Sequence, residues 1–236
     1  MHLLSLLESE RSERARVVSR RLCRVNGTIC WGGPLKQYDL PGRITFISHA
    51  PTAAVRRAAF PLDELIEQRE VEKLRSIDWI PQRFRKVYAA PEQRTRQTAK
   101  ALGFEPIVST ELSDLDYGLW RGKSLDEVQS AAPDGVHQWR TDIDAAPHGG
   151  ESIANFLRRI ECWLAGQHGS GHTLAVTHPA VVRAAVILAL QAPAQSFWRI
   201  DLPPMSMTDL RSNGQFWSLR SGGCPLSVGG YQRPAK

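Results

Sequence analysis

Ile44, Phe46 and Ile47 make an apolar run in RITFISHAPT, residues 43–52, with PGR before it and a histidine, small residues and a proline after it. A short run of this kind, bounded by turn residues, predicts a strand buried on both faces, as in parallel sheets. His49 then stands at its carboxyl end. The same construction returns in HTLAVTHPAVVRAAVILAL, residues 172–190, where Leu174, Ala175 and Val176 lead through Thr177 to His178 and then into an apolar helix. Between the two, PLDELIEQREVEKLRSI has amphipathic helical spacing, KVYAA reads as a strand and EPIVST as another. PEQRTRQTAKALG reads as a helix opened by proline and closed by Gly103. SIANFLRRIECWLAGQ places Ile153, Phe156, Leu157, Ile160 and Leu164 on one helical face, and WRIDL, MTDLRS and QFWSLR have the pattern of closing strands.

Strands alternating with helices imply right-handed βαβ units. The expected fold is α/β, a three-layer sandwich with a mainly parallel central sheet flanked by helices. Ligands of such sheets bind beyond the carboxyl ends of the strands. One histidine closing one strand is ordinarily a hydrogen-bonded structural residue. Two strands of one sheet ending this way bring two imidazoles to one rim, with helix amino termini following each strand and directing N–H groups there. That is an anion site containing two titratable groups.

Length and composition fit a single catalytic domain: 236 residues, 42% hydrophobic and 23% charged, can bury a sizeable core. The apolar stretch from Val181 to Leu190, flanked by Arg183, is too short to span a bilayer. The formal charge of +6 is concentrated at the start, where residues 1–43 hold eight Lys and Arg against four Asp and Glu. This segment has no basic residue ahead of its leucines and no cleavage signature, and Glu8, Glu10 and Glu13 are foreign to a transit peptide. It is expected to be a solvated extension, helical or disordered, over residues 1–42, followed by the domain at 43–222 and a tail at 223–236. Without aromatic interleaving or a recognition motif, its basicity argues little for nucleic acid. Cys23, Cys30, Cys162 and Cys224 show no metal-ligand spacing, so reduced thiols and a cytoplasmic protein are expected.

Five segments in order resemble the histidine phosphatase superfamily, the phosphoglycerate mutase-like fold, over about residues 43–222. SHAPT resembles its first motif, usually arginine-histidine-glycine with a threonine two positions on. APEQRTRQTA resembles its serine-proline segment, LSDLDYGLWRG its acid-bearing segment, PHGGESIANFLRR its GES helix start, and THPAVVR its second-histidine motif.

The resemblance implies a phosphomonoesterase that uses neither metal nor cofactor and acts on a small-molecule phosphate ester, with no membrane partner and a homodimer left open. His49 would be the nucleophile, forming a phosphohistidine. His178 and Arg94 would donate to the phosphoryl oxygens, with Arg96 the competing arginine. Asp114 would be the general acid and base, although the family acid is usually glutamate and Asp116 or Glu151 are alternatives. Thr52 would join the phosphate site. His137, His148, His168 and His172 are expected at the surface.

The first motif departs from its family. Ser48 stands where arginine is usual and Ala50 where glycine is usual, and serine cannot imitate a bidentate guanidinium. Either Arg56 or Arg57, just downstream, restores the charge beside Ser48, or the pocket is a phospho-ligand binding module. A mutase would call for an asparagine-bearing first motif and a long insert after the acid segment. The chain has TAAVRR and runs straight on, so hydrolysis is expected over a phosphomutase reaction.

Overall fold

The computed structural model describes residues 41–77 and 83–226, together with the backbone of 23–25 and 28–30. Most of the basic extension, and the tail beyond residue 226, lie outside the described residues. The chain divides into residues 1–33 and 34–236. In the first unit β1 (Cys23–Val25) pairs antiparallel with β2 (Thr28–Cys30).

The second unit is built on a six-stranded sheet of β3 (Gly42–Ser48), β4 (Lys86–Ala89), β5 (Ile107–Val108), β6 (Gly171–Thr177), β7 (Ser206–Ser212) and β8 (Trp217–Pro225), in the order β5-β4-β6-β3-β7-β8. The four strands β5, β4, β6 and β3 are parallel, and β7 and β8 continue the sheet antiparallel. β3 and β6 carry apolar residues on both faces because both faces are covered. Ile44, Phe46 and Ala175 pack with α6 (Ile153–Ala165) and α7 (Pro179–Leu190), whereas Ile47, Leu174 and Val176 pack with Ala99 of α3 (Gln93–Ala101). This is the expected three-layer α/β arrangement. Ser152 caps α6 by accepting from Asn155 N, Pro179 occupies the first turn of α7, and Gly103 follows α3 at φ +86°.

Three local expectations differ. The helix in 61–77 is confined to α2 (Gln68–Ser76), because the residues before it serve tertiary partners: Asp63 accepts from Gln93 N at 2.7 Å and Ile66 N donates to the Gln97 side chain at 2.9 Å. WRIDL is not a strand. Residues 194–199 form a 3-10 turn that buries Phe197 and sets Trp198 against Trp139, ring centroids 4.3 Å apart. β8 runs to Pro225, taking the first residues of the expected tail into the sheet. Two further helices, α4 (Leu125–Ala131) and α5 (Pro133–Thr141), follow the acid segment, the first opened by a capping box between Ser124 and Glu127. The remaining short helix, α1 (Ala53–Arg56), is a single turn, so only His178 is followed at once by a full helix amino terminus.

Cys162 is disulfide-bonded, so the expectation of reduced thiols fails there, while Cys224 is free. Among the described residues no helix is long and apolar enough to cross a membrane.

Candidate active site

The register of β3 on β6 brings the two histidines together. Ser48 lies opposite Thr177, so His49 and His178 leave the sheet side by side, with His49 N donating to Thr177 O at 2.9 Å. Their rings meet edge to face at 5.2 Å between centroids, and both are buried.

His49 Nδ1 is 2.7 Å from the carbonyl oxygen of Ala50. A carbonyl only accepts, so Nδ1 carries the proton and the lone pair is on Nε2. Burial, together with the electrostatic influence of His178 and Arg94 beside it, lowers His49 to about 3. The ring is neutral at physiological pH. Thr98 keeps this turn in place, accepting from Ala50 N at 3.0 Å and donating to Arg94 O at 2.7 Å.

Arg94, on the first turn of α3, is 2% exposed; it donates through Nη1 to Leu62 O at 2.7 Å and through Nη2 to Asp114 Oδ2 at 2.8 Å. Burial pushes the Asp114 carboxyl up, but His178, Arg94 and His49 outweigh it and hold the group below its ordinary value. Arg94 Nε and His178 Nδ1 are buried without a hydrogen-bond partner, although Asp114 Oδ2 stands 3.4 Å from that Nδ1.

The acid loop is strapped from behind. Thr177 Oγ1 donates to Leu112 O at 2.8 Å. Arg159 of α6 reaches the carbonyl oxygens of Glu111, Ser113 and Asp114, and holds Glu151 through both guanidinium edges at 3.0 and 2.7 Å. On the far side, Gly118 N donates to Asp116 Oδ1 at 2.9 Å while Glu151 N donates to Asp116 O at 2.9 Å. A Cβ at Gly150 would run into that carbonyl, and one at Gly118 into the carbonyl of His148, so the DYG and HGG segments cross in backbone contact.

A model of the histidine phosphatase superfamily (branch 1) matches residues 66–224, which is more than half of the chain. The chain belongs to that superfamily. Curated relatives include a bifunctional protein of Mycobacterium tuberculosis, 29% identical over 138 residues (54% of this chain, 38% of the relative), and phosphoserine phosphatase 1 of Hydrogenobacter thermophilus, 27% identical over 124 residues (48% and 57%). The chain therefore spans less than two thirds of either. Among solved structures, the alpha-ribazole phosphatase of Shigella flexneri superposes with a TM-score of 0.66 at 20% identity, covering 79% of this chain and 98% of its own, a likeness of fold.

Of the residues expected in the histidine phosphatase site, the structure brings together His49, His178, Arg94 and Asp114, with Ser48 buried next to His49. Arg96 is exposed on α3. Asp116 is half exposed and pairs with Arg121 at 3.1 Å, and Glu151 is taken up by Arg159, so neither stands with the histidines as Asp114 does. Thr52 is fully buried, but its hydroxyl donates to Glu64 and caps α1. The expected replacement of the missing guanidinium is not formed. Arg56 Nε and Nη2 are held by Glu67 at 2.9 Å and Glu70 at 2.8 Å, and Arg57 is exposed. His148, expected at the surface, is fully buried; its Nδ1 accepts from Gly150 N and its ring packs on Trp120 at 4.9 Å.

Glu92 is the residue that the sequence reading missed. It occupies the N-cap position of α3 yet makes no side-chain cap bond. Its Oε2 is 2.8 Å from His178 Nε2, and its Oε1 accepts from Asp114 N at 3.0 Å. Burial pushes Glu92 up, but the His178 hydrogen bond and charge and the Asp114 N–H lower it to about 2, so it is a carboxylate throughout the physiological range. A signal was present: glutamate at a helix start where serine, threonine, aspartate or asparagine would cap better. Among the described residues no group of three or more His, Cys, Asp or Glu is arranged to hold a metal ion.

Proposed function

We propose that the protein is a phosphomonoesterase that hydrolyses a small phosphorylated metabolite through a phosphohistidine, with no metal ion in the mechanism. The observation that carries this reading is His49: a buried, neutral imidazole whose Nδ1 proton is committed to Ala50 O, leaving Nε2 as the nucleophile beside His178, Arg94 and Asp114. Arg94 Nε and His178 Nδ1 are the buried nitrogens suited to phosphoryl oxygens.

In the first step Nε2 bonds to phosphorus as the ester P–O bond breaks, and Asp114 gives the departing oxygen its proton. Asp114 is ionised in the resting site, so that proton arrives with a monoanionic phosphate ester. In the second step water attacks phosphorus, the P–N bond breaks, and the Asp114 carboxylate takes the water's proton. The relatives' names, phosphoserine phosphatase and alpha-ribazole phosphatase, support a phosphate monoester of a small metabolite as the substrate class.

A second reading, a phospho-ligand binding module, draws on one feature: Ser48 in place of arginine with Arg56 engaged elsewhere. Assay with excess chelator against a panel of sugar, amino-acid and nucleoside phosphates decides between the two. Turnover supports the phosphatase; phosphate binding with no turnover between pH 5 and 8 supports the binding module and overturns the enzyme.

A further inference from the structure

The pocket has one charge fewer than its first motif would lead one to expect, and one carboxylate more. Glu92 Oε2 can only accept, so His178 Nε2 carries a proton and points away from Asp114. The opposite ring nitrogen, Nδ1, faces Asp114 Oδ2 at 3.4 Å and is buried without a hydrogen bond. An imidazole with a carboxylate on each side is complementary to the ring that bears a proton on both nitrogens, because a lone pair on Nδ1 would face an oxygen that is itself negative. The same Glu92 side chain holds the backbone of the general acid through Oε1.

We infer that Glu92 is a positioning residue that makes His178 the second cationic ligand of the phosphoryl group, taking over the part that the guanidinium absent at position 48 would have played. The inference rests on the phosphatase reading for its kinetic consequence, not for its geometry. The titratable groups facing His178 come from three elements: the carboxylates of Glu92 at the head of α3 and Asp114 in the loop after residues 110–112, and the neutral ring of His49 at the end of β3, with the Arg94 guanidinium behind Asp114. One carboxylate thereby sets the ring's rotation, its proton count and the height of the acid loop. In metal sites the partners standing behind a direct ligand are worth roughly 10- to 100-fold in activity, and the same scale is expected for a histidine that binds a phosphoryl group.

The test uses the full chain with Glu92→Gln, which keeps shape and loses charge, and Glu92→Ala. Glu92→Ala should lower kcat and kcat/KM together by about 10- to 100-fold, with Glu92→Gln between it and the wild type. Nitrogen-15 NMR of the His178 ring at neutral pH should show protons on both nitrogens in the wild type and on one in Glu92→Gln. The affinity for inorganic vanadate should fall about tenfold or more in Glu92→Gln. A purely structural Glu92 would lower the thermal midpoint and leave kcat, ring protonation and vanadate affinity unmoved, which overturns the inference. So does tighter vanadate binding in Glu92→Gln, since Glu92 would then exclude anions. If the wild type hydrolyses no ester, the phosphatase reading fails by itself, and NMR and vanadate affinity still decide the role of Glu92.

Discussion

Arg94 Nη2 and Asp114 Oδ2 are joined at 2.8 Å, so the residue expected to give a proton is held as a carboxylate by His178 and by Arg94, both residues expected to bind phosphate. The pair fixes a sign. Asp114 must be protonated to act as the acid and stands below its ordinary value, so its acid form grows as pH falls. The kcat/KM ratio of an alkyl phosphate to nitrophenyl phosphate is expected to rise toward acid pH, since a phenolate needs little protonation. Asp114→Asn should cost the alkyl ester about 10²- to 10⁴-fold and the nitrophenyl ester far less. Equal losses in a paired assay would make Asp114 structural.

His49 should carry the phosphate after acid quench, with none on His178, as mapped by mass spectrometry. His49→Ala should abolish turnover.

The same residue makes a stability prediction. A folded-state value of about 3 against an unfolded value of about 6.5 means that the unfolded chain binds more protons between those limits. Stability therefore rises with pH across that window, and falls as acid is added. In His49→Asn this part of the slope should be absent from urea denaturation measured at pH 4, 5, 6 and 7. An unchanged slope would mean that His49 is not held neutral.

Arg56 is bound to Glu67 and Glu70, so Arg56→Ala and Arg57→Ala should leave kcat/KM within about twofold, as surface charges do. A loss of about thirty-fold or more in either, the size of a charge-assisted phosphate contact, would show that the arginine moves into the site with substrate.

Arg159 spans Glu151 and three carbonyl oxygens of the acid loop. Arg159→Ala should destabilise the fold by about 1–3 kcal/mol, because partly buried acceptors lose their donor. It should also lower kcat more than it raises KM. Thermal denaturation with steady-state kinetics checks both.

The mainly parallel sheet and the two-histidine rim were legible because β3 and β6 are buried on both faces and end alike; the strand order and the residue-for-residue register of β3 on β6 were not. That His49, Arg94, Asp114 and His178 would come together was expected from the family resemblance of their motifs. Glu92 was not. It is 86 positions from His178, and the bond between them follows from β4 lying next to β6, which no local pattern encodes. Arg56 failed in the opposite direction: proximity in sequence suggested the pocket, but Glu67 and Glu70 offered a closer carboxylate pair. Residues 61–67 had helical spacing but were drawn into contacts with α3, and WRIDL had strand composition but its one aromatic ring, Trp198, packs on Trp139 of α5.

The crossing of the DYG and HGG segments leaves no room for a side chain on either glycine. Two stretches about thirty positions apart are thus a single part for the purposes of engineering. A graft that brings in another enzyme's acid loop without its GES turn joins mismatched halves, and its failure would say nothing about the chemistry of the loop. Transplanted together, with α6 and Arg159 beneath them, they carry their own scaffold.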